Sequence, residues 1–89
     1  MRFKKGDWVI VTNLNERRDY IFPRIKDGMV GKILEDSEGL SEGMGIGVEF
    51  IDFIDGHECR GNGKNGYCWY TQIKYLKKIT EKEAVLYAL

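Results

Sequence analysis

Glycine-rich breaks cut this chain into five short runs of β-branched and aromatic residues, a division that restricts it to a small β-rich fold. The runs fall at 5–12, 28–35, 46–51 and 67–71, with a last one around Tyr75-Leu76. In the first, Val9 and Val11 alternate with Trp8 and Ile10, so the two pairs face opposite sides of a sheet. In the third, Ile46, Val48 and Phe50 alternate inward. Gly31, inside the second run, marks a bulge or a close backbone approach. The connection over 13–28 holds the only proline, Pro23, and shows no clean period. A loop of that length without its own secondary structure tends to carry function.

The chain ends on a different signal. Thr80-Glu81-Lys82-Glu83 fits a capping box, with Thr80 as N-cap and Glu83 three residues on. The helix it opens is short and places Lys82, Val85, Leu86 and Leu89 on one stripe. Alone in water such a helix is marginal, so it must dock. The expected organisation is therefore a barrel over 1–79 and a helix over 80–89. That helix either packs on the barrel or forms a homodimer interface.

Composition narrows the function classes. At 89 residues with 43% hydrophobic content, the chain supports a single folded domain. Fourteen basic and fourteen acidic residues give zero net charge, whereas dedicated nucleic-acid binders are usually basic. No apolar run approaches the roughly 20 residues that span a bilayer, which argues against membrane insertion. The N-terminal Met1-Arg2-Phe3-Lys4-Lys5 lacks a following apolar stretch and does not read as a signal peptide. The expected location is cytoplasmic, where Cys59 and Cys68 stay reduced.

The densest chemistry lies in Gly56-His57-Glu58-Cys59 and Gly66-Tyr67-Cys68-Trp69-Tyr70, joined by a turn rich in glycine and asparagine. Those turn residues tolerate positive φ and let the backbone fold tightly. The block, with the opening Lys5-Gly6-Asp7 and the closing Tyr75-Leu76, resembles the Mib/HERC2-type SH3-like domain. Small bacterial and phage proteins also carry such a Gly-His-x-Cys and Gly-x-Cys-Trp block. Tyr67 and Tyr70 stand where that family more often has His and Trp. The resemblance implies a five-stranded SH3-like barrel that binds peptide segments of other proteins. In phage it implies a modulator of a host protein.

Three alternative chemistries start from the same residues. His57, Cys59 and Cys68 offer three zinc ligands without the paired Cys-x-x-Cys spacing, so the expectation is no metal and no cofactor. A cysteine nucleophile with His57 as base lacks an orienting third group, so the expectation is no enzyme. In the bland reading both thiols fill apolar space and His57 bonds the loop backbone. Gly56, Cys59, Gly66, Cys68 and Trp69 then shape the loop, with Trp69 expected in the core.

The partner surface is expected to join Arg17, Arg18, Tyr20, Phe22 and Arg24 of the long connection to His57 and Tyr70. Its partner is a protein or peptide. The alternative is a nucleic-acid-binding SH3-like barrel of the KOW kind, with bases stacking on Tyr20 or Phe22.

Overall fold

Residues 2–14 and 24–89 are described in a computed structural model of the chain. Five antiparallel strands form one sheet: β1 (Trp8–Val11), β2 (Val30–Ile33), β3 (Gly45–Phe50), β4 (Cys68–Gln72) and β5 (Leu76–Ile79). Their spatial order is β4-β3-β2-β1-β5, so three hairpin connections run in sequence and β5 returns to pair β1. A 3-10 helix over Ile73–Tyr75 turns the chain from β4 into β5, and helix α1 (Glu81–Ala88) follows. The fold is mainly β, as the alternating runs require, although each strand is shorter than or offset from its run in the sequence.

The register explains which side chains are inside. Gly31 lies opposite Val9 on one neighbour and Phe50 on the other, and Val48 lies opposite Ile33 and Trp69. Val9, Val11, Ile33, Ile46, Val48 and Phe50 therefore share one face and are all essentially buried. Phe3, Leu14, Ile25, Ile54, Ile73 and Tyr75, none of them in a strand, close that core from its rims. Each fully buried aliphatic or aromatic side chain contributes about 1.5–3 kcal/mol. The buried Ser37 hydroxyl accepts from the Phe3 amide at 2.8 Å, which pins the N-terminal segment over the core.

Trp69 departs from its expected place. It points to the core side, opposite Val48, but is only half-buried because β4 is an edge strand. Its neighbours Cys68 and Thr71 are the fully buried residues of that strand.

The outer face is covered twice. Val30 and Ala84 are buried but lie outside the main core cluster, because α1 packs against β1 and β2 on that side. The Tyr87 hydroxyl donates to Asp52 and anchors the helix end. Thr80 and Glu83 form the complete capping box. The apolar stripe is not the docked side: Val85, Leu86 and Leu89 are exposed, Leu89 at 95%. Over β3 and β4 the cover is the loop that carries the candidate site.

Candidate recognition site

The loop from Gly56 to Tyr67 is closed by backbone bonds to β4 and its approach. The Ile54 and Gly56 amides both donate to the Gly66 carbonyl at 3.1 Å. His57 and Cys68 then exchange two bonds, at 2.9 and 3.1 Å, making an isolated bridge on the outer edge of β4. Beyond it the chain makes a left-handed turn through Cys59, Arg60 and Gly61, at φ of 49°, 58° and 84°. The Asn62 and Gly63 amides close the turn on the Cys59 and Glu58 carbonyls.

Glycine and asparagine are the residues expected at positive φ. Here it falls on Cys59 and Arg60 as well as Gly61 and Gly66. A left-handed non-glycine residue costs about 1–2 kcal/mol, so something must hold the two in place. His57 is one such group: its Nδ1 accepts the Cys59 N–H at 2.8 Å. With Nδ1 accepting, a neutral ring carries its proton on Nε2. The ring then leans on Trp69 at 4.8 Å between centroids and on Tyr70 at 5.6 Å. Three partly exposed rings thus meet at the β4 edge, on a loop whose backbone is extensively bonded.

Both thiols are free and buried beneath the loop. The Cys68 Sγ–H donates to the Lys64 carbonyl at 3.3 Å. Burial, with the neighbouring Cys68 thiol second, pushes Cys59 up to about 12 from its ordinary 9.0. Burial followed by the Glu49 carboxylate raises Cys68 as well. Nucleophilicity resides in the thiolate, and both shifts suppress it. Each pKa unit is tenfold in thiolate, so Cys59 in the folded protein is expected to react with a thiol probe at neutral pH roughly three orders of magnitude more slowly than in urea. Comparable rates in the two conditions would mean that the loop does not shield the pair.

The same shifts set an alkaline limit. A folded-state pKa above the unfolded value favours the folded form below the unfolded pKa, and that advantage fades as pH climbs to the folded one. For Cys59 the window opens near 9.0 and closes near 12. Tyr87, raised by burial and then by its bond to Asp52, behaves alike between 10.0 and about 12. The urea midpoint is therefore expected to fall steadily above pH 9.0, and less steeply in Cys59→Ala. An unchanged slope in that variant would contradict the assignment.

His57, Cys59, Cys68, Trp69 and Tyr70 are gathered in one place, as are Gly56 and Gly66 beneath them. Arg24 is exposed, and its amide donates to Ile54 just before the loop. Arg17, Arg18, Tyr20 and Phe22 lie outside the described residues. Among the described residues no group of three His, Cys, Asp or Glu side chains is placed to hold a metal ion. His57 turns Nδ1 to the Cys59 amide, away from a ligand role for that atom.

Two features escaped sequence reasoning. Phe53, 54% exposed, sits edge-on to Tyr67 at 5.5 Å, with the Lys64 ammonium 4.5 Å from the Tyr67 ring centre. Its position between Asp52 and Asp55 was the only cue. An open cleft of about 630 Å³, separate from the loop, is lined by Trp8, Lys32, Lys78 and the start of α1. Among the described residues no helix is long and apolar enough to cross a membrane. Compared with protein-family models, curated proteins and solved structures, the chain matches none.

Proposed function

We propose that this chain is a non-enzymatic module that binds a protein or peptide partner. The observation that carries this reading is the ring group of His57, Trp69 and Tyr70 at the edge of β4. Aromatic groups held rigid and partly exposed supply contact area at little entropic cost, which is what interface anchors require. Suppressed thiolates at Cys59 and Cys68 favour binding over cysteine catalysis. The strand order and the 3-10 turn before β5 support an SH3-like barrel, and with it the Mib/HERC2-type resemblance. Reduced, buried cysteines suit a cytoplasmic setting. On this reading a phage or bacterial chain of this kind modulates a host protein.

The test is an affinity pull-down from host lysate, with and without nuclease, using the wild-type chain and Tyr70→Ala. A near-stoichiometric protein that survives nuclease and is lost with Tyr70→Ala supports the reading. Partners retained equally by both chains would move the interface away from this loop.

One observation favours nucleic acid as the second reading. The Lys32 ammonium lies 4.9 Å from the Trp8 ring centre, with Lys78 lining the same cleft. A stacking ring flanked by cations suits a single strand. Asp7, Glu81 and Glu83 line the cleft too and oppose it. A steep salt dependence of binding, made shallower by Lys32→Ala, would promote this reading. The exposed Val85, Leu86 and Leu89 give a homodimer its surface. Sedimentation of Leu86→Glu beside the wild-type chain tests that arrangement.

A further inference from the structure

We infer that the open edge of β4 takes an extended, proline-free segment of a partner protein as a sixth strand, paired to the main chain of Tyr70. This rests on the peptide-binding reading above and gives it a geometry.

The direction of each main-chain group follows from the ladder. Cys68 exchanges both of its bonds with His57, so its N–H and C=O point away from β3. In an antiparallel strand alternate residues repeat that direction, which turns Tyr70 to the same open edge. Gly47, opposite Tyr70, confirms it: the Gly47 carbonyl is engaged by the Leu34 amide on β2. Among the described residues, nothing bonds the Tyr70 N–H or C=O. Main-chain donors and acceptors are strong groups that pair when another chain lies alongside.

The two edges of the sheet are treated differently. On β5 the exposed Lys77 and Lys78 guard against pairing. The β4 sequence Cys-Trp-Tyr-Thr-Gln carries no charge and no proline. The chain itself starts a sixth strand there, at His57, and abandons it after one rung. An incoming strand would resume that line at Tyr70.

The occupant is a foreign segment and not a second copy. Two-fold antiparallel pairing of β4 about Tyr70 would bring the other copy's Gln72 beside Cys68, where His57 already sits. Shifting the axis towards Gln72 runs the strand into the 3-10 turn at Ile73–Tyr75. A flexible peptide can leave the edge on either side of its residue opposite Tyr70, which a strand held in a second sheet cannot. Its residue opposite Tyr70 would pack beside the His57 and Tyr70 rings, which favours an aromatic or β-branched side chain.

The experiment begins with a random 12-residue phage library panned on the full chain. Enriched peptides are then synthesised. Binding is compared between the wild-type chain and one whose Tyr70 amide is an ester, assembled by ligation at Cys68. The ester deletes one N–H and leaves every side chain in place. No described residue bonds that N–H in the free chain, so the native cost of the ester is confined to a weaker acceptor at the Trp69 carbonyl, which urea unfolding of the ester chain measures separately. Loss of one main-chain bond predicts about 5–10-fold weaker binding. Proline at a single central position of the peptide should abolish it. In the wild-type chain, hydrogen exchange at Tyr70 should slow at least about tenfold when peptide is bound.

Peptides that bind both chains equally, with Tyr70 exchange unchanged, would overturn strand addition and leave peptide binding standing. Failure to enrich any peptide would overturn both. Protection of Tyr70 that rises with concentration of the chain alone would assign the edge to a second copy and overturn the inference.

Discussion

Gly56→Ala is expected to cost about 2–4 kcal/mol and to release the recognition loop from β4. A Cβ at this position would stand 2.3 Å from the Cys68 carbonyl oxygen and 3.1 Å from Ile54 Cδ1. The oxygen belongs to the backbone and has no rotamer in which to move aside. It is also the acceptor for the His57 amide. Relieving the clash therefore separates the His57–Cys68 bridge, and each lost main-chain bond is worth about 0.5–1.5 kcal/mol. Set against the roughly 4–13 kcal/mol expected for a domain of this length, the loss is large. Without the bridge, His57 no longer holds the Cys59 amide, and the left-handed turn loses its brace.

Urea denaturation and amide exchange at Cys68 measure both parts. Gly61→Ala is the control, because Gly61 has a φ of 84° and no atom within 4 Å of an added Cβ. Its cost should be only about 1–2 kcal/mol, that of a left-handed alanine. Equal losses for the two variants would show that the bridge is not what fixes the loop.

Periodicity was readable wherever a strand has one buried face. Val9 and Val11 in β1, and Ile46, Val48 and Phe50 in β3, point inward as their alternation requires. The capping box of Thr80 and Glu83 was equally plain, since it depends on residues three apart and nothing else. The signal failed where burial depends on distant chain. Leu14, Ile25 and Ile54 lie in irregular segments, and their place in the core follows from which rim of the sheet each segment crosses. Trp69 reads as core from its size and neighbours, yet its edge position leaves it half-open. The α1 stripe of Val85, Leu86 and Leu89 is a true helical face, but the small Ala84 and the anchoring Tyr87 decide which side docks.

The residues of the Gly56–Tyr70 block are conspicuous in the sequence, whereas the way they are held is not. His57, Cys59, Cys68, Trp69 and Tyr70 stand out as residue types, and the fold does bring them together. That Cys59 and Arg60 take the left-handed turn is invisible in sequence, because neither residue favours it. The turn is imposed by closure between His57 and Cys68, a contact eleven positions long. Tertiary pairing overrides local preference there, and overrides of that kind concentrate at functional loops.

The second large effect is expected in the sheet itself. Gly31 sits in β2 between β1 and β3, opposite Val9 and Phe50. An added Cβ would lie 2.6 Å from Val48 Cγ1, 2.9 Å from the Glu49 carbonyl oxygen and 3.2 Å from Phe50 Cδ1. Val48 and Phe50 are fully buried core residues, so neither can swing into solvent. Gly31→Ala should cost about 2–4 kcal/mol by overpacking, and Gly31→Val should leave too little stability to populate the fold at 37 °C. Val48 offers a sharper test. Removing its methyl groups in Val48→Ala opens space for the new Cβ, so the double variant Gly31→Ala, Val48→Ala should be more stable than the sum of the singles by about 0.5–3 kcal/mol. Only part of the loss is recovered, because the Glu49 carbonyl still opposes the Cβ from the backbone side. Strict additivity in urea unfolding would mean that β2 and β3 are spaced more widely at this point, and that the glycine is there for another reason.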